Sequence, residues 1–495
     1  MWFNSITFFI FLALTFTAFY AVRRVAMQMA VLVVSSMIFY AWSAPVLLLL
    51  LIFSVLLNAI ISFQVSVVQA DSIKRTWAVT GVVLNVATLA FFKYGALFAS
   101  LVGELLEPAN ALSLKQLLTL PLPVGISFYT FEGISLLVDS FSGKVGPNQA
   151  KQRSWTGFVH HLGSTSLFIC FFPHLVAGPI LKANHFLPQI GPKRFIDIPW
   201  HTVVHSLILG YFLKCVIADN LKDHTFWLEY PQCLDLGSVN GLVLTFAYSI
   251  EIFADFAGYS LMAIGLGAAF GYELPQNFNY PYIASSLKDF WRRWHISLST
   301  WLRDYLYFPL GGNRGSKLRT YLNLFLVMLL GGLWHGAAWS YMVWGAYHGL
   351  GLAVERFCAE QLPRPAWLGG LATKTSAAAQ CGRLFLGTVQ RLAVFIFVAF
   401  GWLLFQLTEI GGAWEFVSML AMKWRFYINT NFLAATALYS TPVILLHLLH
   451  LPALESFRKR WMASYPWSQD IVYGLMLCAL VINRGSSSEF IYFQF

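Results

Sequence analysis

Apolar runs recur from one end of the chain to the other, near residues 4–20, 27–43, 46–68, 77–101, 117–138, 156–180, 201–219, 239–270, 320–356, 384–408, 431–451 and 469–483. A helix that crosses a bilayer needs about 20 mostly apolar residues, so the pattern predicts an all-α polytopic integral membrane protein with about ten to twelve transmembrane helices. Two runs depart from the simple pattern. The 239–270 run contains Glu251, Asp255 and Gly258, which predicts a bend, and the 320–356 run is interrupted at GGLWHG, which predicts a hairpin. Re-entrant pieces are expected only where protein covers their backbone, because unpaired amides are costly in hydrocarbon. No polar stretch between runs is long enough to fold separately, so residues 1–495 read as one transmembrane domain.

The polar positions add orientation. Basic loops fall at Arg23 and Arg24, at Lys74 and Arg75, and within 144–153, 182–194, 288–319, 356–383 and 458–460. The retention of Lys and Arg on the cytoplasmic side makes these the inner loops. Connectors with Glu104 and Glu107, and with Asp223, Glu229 and Asp235, are expected outside, which also places the N-terminus outside. The first run has no basic residues before it and no small-residue cleavage site after it, so it is expected to remain as a span.

Composition agrees with this picture: 58% of residues are hydrophobic, only 11% are Asp, Glu, Lys or Arg, and the mean hydropathy is +0.64. The net charge of +10 is accounted for by the basic loops, and no basic module interleaved with aromatics points to nucleic acid. The six cysteines, Cys170, Cys215, Cys233, Cys358, Cys381 and Cys478, have no CxxC spacing and read as small buried hydrophobes. Neither a zinc-type His/Cys/Asp cluster, a GxSxG elbow, a Walker loop nor a dinucleotide fingerprint is present, which removes hydrolase, ATPase and dehydrogenase readings.

Three stretches carry candidate chemistry. In YSIEIFADFAGYS, Tyr248, Glu251, Asp255 and Tyr259 follow i, i+3, i+7 and i+11, close to one helical stripe. A carboxylate at membrane depth costs about 2.5–3.5 kcal/mol, so the pair either meets a basic loop or organises a pocket. In KDFWRRWHISLSTWLRDYLY, residues 288–307, six charges surround His295 and three tryptophans, and continuous helix would put Trp291, His295 and Leu298 on one face with Arg292 on another. An interfacial aromatic belt with snorkelling cations explains the Trp, Lys and Arg. It does not explain His295, nor the following LRDYLYFPLGGNRG, whose glycine turn and guanidinium suit an anionic ligand. In LLGGLWHGAAWSYMVWGAYHG, residues 329–349, His335 stands between glycines that let a backbone or a ligand come close, while His348 reads as structural.

Taken together, PVGISFYTFEGISLLVDSF (123–141), FFPHLVAGPI (171–180), DFAGYSLMAIG (255–265), QNFNYPYIASSLKDFWRRWHISLSTWLRDYLYFPLGGNRG (276–315) and LLGGLWHGAAW (329–339) resemble the membrane-bound O-acyltransferases. The likeness is to the bacterial branch that holds the membrane subunits of alginate O-acetylation and teichoic-acid D-alanylation. It covers nearly the whole chain, from FYAW at 39–42 to FIYFQF at 490–495, with its signature core near 120–350. The resemblance implies a ring of transmembrane and re-entrant helices around a central funnel, in which a cytoplasmic donor meets an acceptor from the other face. It makes His335 catalytic, with His295 as the second histidine of the site. Ala257 and Leu261 depart from the usual DFSGYSDMAIG, which removes polar groups at those two positions.

From the resemblance, the donor is expected to be an acyl thioester, acetyl-CoA or an acyl-carrier phosphopantetheine, with no resident cofactor and no metal. Arg292, Arg293 and Arg314 are expected at its phosphates, with Trp334, Asp304 and Asn313 also binding donor or substrate and Glu251, Asp255 and Tyr259 organising the pocket. His335 would take the acceptor proton, and backbone N–H groups at the flanking glycines would hold the oxyanion. The implied reaction is O-acetylation of a secreted exopolysaccharide of alginate or cellulose type at the bacterial inner membrane. Membrane lipid, periplasmic acetylation proteins and the polysaccharide synthase complex would be its partners. D-alanyl transfer, or acyl transfer to a teichoic acid, lipid or protein, is the alternative. A transporter would show inverted repeats, and GGLWHG and WRRWHIS each occur once.

Overall fold

The computed structural model describes residues 1–43, 45–103, 122–145, 154–176, 178–362, 376–422 and 427–486. The acidic connector with Glu104 and Glu107, parts of the basic loops at 144–153 and 356–383, and the terminal FIYFQF lie outside the described residues. Among the described residues, seven helices are long and apolar enough to cross a membrane: Val25–Trp42, Leu48–Val67, Asp71–Gly95, Trp200–Leu228, Gly237–Ala269, Ala378–Gln406 and Thr430–Leu449. An eighth arises if Pro452–Ser464 and Trp467–Ile482, bent by 94°, are taken as one broken span. The remaining apolar runs form shorter or more polar helices. The run at 4–20 gives a helix of 16 residues, and the run at 156–180 stops at Cys170 ahead of Pro173. The 239–270 run is not broken at its polar residues: Gly237–Ala269 is one continuous helix of 33 residues, and its carboxylates find partners without any break in the backbone.

Read from sequence as one unit, the chain packs as two compact units, Met1–Gly210 with Tyr259–Gln276, and Tyr211–Gly258 with Asn277–Phe495. The chain passes between them three times, twice within a helix and once in the irregular stretch 272–280.

The first unit contains α1 (Ile6–Ala21), α2 (Val25–Ser43), α3 (Leu48–Val67), α4 (Asp71–Gly103), α5 (Ile126–Phe141), α6 (Trp155–Cys170) and nearly all of α7 (Trp200–Tyr211). Ser5 and Ser154 begin α1 and α6 by accepting the backbone N–H groups of Phe8 and Gly157, each at 3.2 Å. Where α3, α4 and α5 pack together, Asn58 and Asn85 exchange amide hydrogen bonds at 3.2 and 2.9 Å. Gly133 leaves room for this pair, since a Cβ there would stand 2.6 Å from Asn58 Oδ1. Glu132, Ser135 and Asp139, at i, i+3 and i+7 on α5, accept the N–H groups of Leu181, Ala183 and Asn184 and hold the start of the helical turn Ala183–Phe186. Glu132 also lies 3.1 Å from His174, with both side chains buried.

The second unit holds the greater part of α8 (Gly237–Ala269), then α9 (Leu287–Trp291), α10 (Ile296–Leu302), α11 (Lys317–His335), α12 (Trp339–Gln361), α13 (Ala377–Gln406), α14 (Ile410–Met422), α15 (Thr430–Leu449), α16 (Glu455–Ser464) and α17 (Trp467–Ile482). The predicted hairpin is present as α11 and α12, turning at Gly336–Ala338. Its seam is built from glycine: a Cβ on Gly332 would lie 2.3 Å from the Tyr341 carbonyl oxygen, and one on Gly345 would lie 2.5 Å from that of Met328. Small residues are what permit helices to approach this closely. Glu355 of α12 reaches the start of α9, accepting the N–H groups of Leu287 at 2.5 Å and Lys288 at 3.2 Å.

Candidate functional site

A cavity of about 530 Å³ lies within the second unit, walled by α9, α10 and the α11–α12 hairpin. Its lining changes character along α12, from Trp344 to Arg356. Twelve residues of helix separate these two, a rise of about 18 Å. His335, Trp291, Trp344, Leu298 and Met328 make one region aromatic and apolar, and Lys288, Arg303, Arg356, Glu355 and Glu360 make the other charged.

His335 is the last residue of α11 and is 4% exposed. Its ring stands edge-on to Trp344 at 5.2 Å and to Phe405 at 5.0 Å, and Trp334 packs on it at 4.9 Å. These rings shield the imidazole from water on the sides they cover. The glycines beside it serve packing more than ligand approach. Gly332 belongs to the hairpin seam, and a Cβ on Gly336 would meet the Tyr341 ring at 2.2 Å. Gly331 alone of the three lines the cavity. Because Gly331 and Gly332 lie in the interior of α11, their N–H groups belong to the helix ladder, which removes them as oxyanion donors.

The stretch 288–307 is not one helix, which corrects the expectation that Trp291, His295 and Leu298 share a face. α9 ends at Trp291, α10 begins at Ile296, and His295 between them is left-handed, with φ 43° and ψ 55°. A non-glycine residue in that region costs about 1–3 kcal/mol and persists only when its surroundings hold it. Here Asn277 holds it. Its backbone oxygen accepts Ile296 N–H at 2.9 Å, and its Oδ1 accepts Ser297 N–H at 3.2 Å and Ser297 Oγ–H at 2.9 Å, with His295 Nδ1 at 3.1 Å. Phe256 of α8 stands edge-on to the imidazole at 4.6 Å. Fully buried, the ring is kept in its neutral form by desolvation. His295 does not line the cavity, although Leu298 and Ser299 one turn later do. The two histidines flank Trp334, whose ring lies 6.2 Å from His295 and 4.9 Å from His335.

Of the residues expected at a donor, Asn313 lines the cavity, while Arg292, Arg293, Arg314, Asp304 and Trp334 do not. Arg293 is turned to Asp289 at 2.9 Å and to the Asn279 carbonyl at 3.2 Å. The cations that do line it are Lys288, Arg303 and Arg356. Arg356 Nε donates to Glu360 at 2.7 Å, and its Nη1 donates to Asn313 Oδ1 at 3.1 Å, where Tyr307 O–H also donates. Lys288 and Arg303 fall in the charge-rich stretch. Arg356 falls 21 residues after His335 in what reads as an ordinary basic loop, and only the hairpin brings it back.

The carboxylate stripe proves to be an internal ion-pair cluster. Lys214 Nζ lies 2.6 Å from Asp255 Oδ1 and 2.8 Å from Asp219 Oδ1, with all three side chains no more than 5% exposed. Thr225 donates to Glu251. Lys214 sits in a π-helical segment, Phe212–Ala218, so the partner comes from another buried helix and not from a basic loop. Neither carboxylate lines the cavity, and Tyr259 falls in the first unit, where its ring stacks on Phe3 at 4.9 Å. His348 is fully buried among Trp291, Trp344 and Phe397, in line with a structural role. Cys170, Cys215 and Cys233 are buried as expected, whereas Cys358 is half-buried and Cys381 and Cys478 are exposed among the described residues.

The family model of the membrane-bound O-acyltransferase family matches residues 149–379, a window that contains every residue lining the cavity. A protein named Probable alginate O-acetylase from Pseudomonas aeruginosa is 38% identical over 391 residues, covering 78% of this chain and 68% of its own length. Peptidoglycan O-acetyltransferase from Helicobacter pylori is 31% identical over 504 residues, 94% of this chain and 91% of its own. Teichoic acid D-alanyltransferase from Bacillus subtilis is 30% identical over 256 residues, 50% of this chain and 62% of its own.

Proposed function

Because this chain belongs to the membrane-bound O-acyltransferase family and is a multi-pass membrane O-acyltransferase, we propose that it moves an acetyl group from a thioester donor toward the hydroxyls of a polysaccharide outside the bacterial inner membrane. The observation that carries the reading is His335, buried among aromatic rings in a cavity whose other region holds three cations. A CoA or carrier phosphopantetheine has the matching polarity: anionic phosphates for Lys288, Arg303 and Arg356, and a long arm for the apolar wall that ends in the thioester. His335 accepts the proton of the acceptor hydroxyl while its oxygen bonds to the thioester carbonyl carbon. The C–S bond then breaks, and the imidazolium returns the proton to the departing thiolate. An imidazole suits this exchange because its ordinary pKa of about 6.5 lies near neutrality.

Alginate-type or cell-wall polysaccharide is the acceptor class that the alginate and peptidoglycan O-acetylating relatives favour, reached through a periplasmic acetylation partner beside the polysaccharide synthase. The D-alanylating relative supports a second reading, aminoacyl transfer from a carrier protein to a teichoic acid. Purified protein in proteoliposomes separates them. Acetyl-CoA-dependent release of thiol with acetyl transfer to an oligosaccharide supports the first, and transfer only from a D-alanyl carrier supports the second. His335→Ala lowers either transfer by about 10²–10⁴-fold, the usual worth of a general base, and wild-type rates in this variant remove His335 from the chemistry.

A further inference from the structure

α16 and α17 meet at 94°, and the turn between them separates two kinds of surface. α17 is apolar along most of its length, and Ile471, Val472, Leu475, Val481 and Ile482 are exposed, as the lipid-facing residues of a span are. Beyond its far end the chain is bonded to the protein: Gly485 N–H donates to the Cys215 carbonyl at 2.9 Å, and the Ser486 hydroxyl donates to Asp223 at 2.8 Å. Asp223 belongs to an acidic connector expected outside the membrane. The basic run 458–460 lies before the opposite end of α17, on the inner side. A helix that meets a span at right angles at its inner end runs along the membrane surface.

α16 has the residues for that position. None of its ten residues is buried. Phe457 and Trp461 stand one turn apart and Tyr465 follows at the helix end, their rings forming a ladder with centroids 6.0 and 4.8 Å apart that Trp467 extends at 5.8 Å. All four rings are exposed, by 43–55%. On a helix, Arg458 and Arg460 fall about 80° to either side of the Phe457–Trp461 stripe, and Lys459 falls opposite it. Lys459 lies 2.7 Å from Glu455, and Arg460 Nε donates to the Ser456 carbonyl at 3.3 Å. Three cations against one carboxylate leave the helix net positive. Aromatic rings favour the boundary between acyl chains and headgroups, and arginines at the edges of such a stripe extend their guanidiniums to the phosphate level.

We propose that α16 is an interfacial helix that binds anionic phospholipid headgroups of the inner leaflet, with Phe457, Trp461 and Tyr465 seated at the acyl boundary and Arg458 and Arg460 on the phosphates. Two observations select lipid as the occupant. The aromatic ladder continues through Trp467 into the exposed apolar face of α17, so both lie against the same bilayer. The positive charge selects an anionic headgroup over a zwitterionic one, since a basic residue near an anionic leaflet gains from its surface potential and gains little from a neutral one. No residue of α16 lines the cavity, so the proposal stands apart from the acyl-transfer reading.

The test uses purified full-length protein in mild detergent, with phosphatidylglycerol or phosphatidylcholine of the same acyl chains added and the retained lipids counted by native mass spectrometry. Wild-type protein retains phosphatidylglycerol in preference. Arg458→Gln, Lys459→Gln and Arg460→Gln together weaken that retention about tenfold or more and leave phosphatidylcholine unchanged. Undiminished retention of phosphatidylglycerol by the variant overturns the proposal, as does a wild type without preference. Inorganic phosphate at the same concentration leaves the bound lipid in place, and its displacement would show a site for a free anion instead. Because α16 buries no side chain, the variant is expected to fold. Should it not, a photoreactive phenylalanine analogue in place of the exposed Met462 decides the matter in proteoliposomes of the two lipids in equal amounts. Cross-linking mainly to phosphatidylglycerol supports the site, and equal capture of both lipids, or of neither, overturns it.

Discussion

Two regions of the second unit gather charge in an apolar protein and do opposite things with it. Around Lys214, a cation faces Asp219 and Asp255 at 2.8 and 2.6 Å, the side chains are buried, and neither carboxylate lines the cavity of about 530 Å³. Around the cavity, Lys288, Arg303 and Arg356 stand at the lining of a space of about 530 Å³, and Arg303 and Arg356 remain 54% and 33% exposed even while pairing with acidic neighbours. Buried charge paired within the protein holds helices together. Charge that borders an opening is available to something that enters it. Carboxylates in a span are thus poor pointers to chemistry until their partners are known.

The comparison is broken most forcefully at Lys214. Lys214→Ala leaves two buried carboxylates unmatched and lowers stability by about 3–5 kcal/mol, seen as loss of the folded protein in a detergent thermal melt. Replacing Lys214, Asp219 and Asp255 together by Met, Asn and Asn recovers most of that loss, since the buried charges then disappear as a set. A mouth substitution has a smaller effect of a different kind. Arg356→Ala removes one charge-assisted contact of about 1.5–3 kcal/mol and raises donor KM about ten- to a hundredfold, with the melting temperature nearly unchanged. Smallest is Arg314→Ala. Its side chain does not line the cavity, so donor KM moves by less than about twofold, as for an exposed surface charge. A large KM effect there would return the phosphate site to the GGNRG turn.

The sequence carries the architecture where a signal is local. The long apolar runs become helices, the interruption at GGLWHG becomes the α11–α12 turn, and His335 lines the cavity. It fails where a long-range contact or a single backbone angle decides. The stripe Glu251 and Asp255 gives no hint that Lys214, some forty residues earlier, is its partner. Helical periodicity assigns Trp291, His295 and Leu298 to one face only if the helix is continuous, and one left-handed residue breaks that assumption. Arg356 reaches the cavity because the hairpin folds back, which no local pattern announces. Asn277 lies inside a quoted motif, yet an asparagine among asparagines and tyrosines carries no sign that three donors will meet on its oxygen.

The glycine seam of α11 and α12 limits how the cavity can be remodelled. With Gly332 and Gly345 at 2.3 and 2.5 Å from opposing carbonyl oxygens for any added Cβ, neither glycine accepts a side chain without prying the two helices apart, so the spacing of the hairpin is fixed. Room for a bulkier acyl group is best made on the facing wall, at Leu298 and Leu302 of α10, where shortening a side chain enlarges the space and leaves the seam intact. A library aimed at new acyl donors is best confined to that wall.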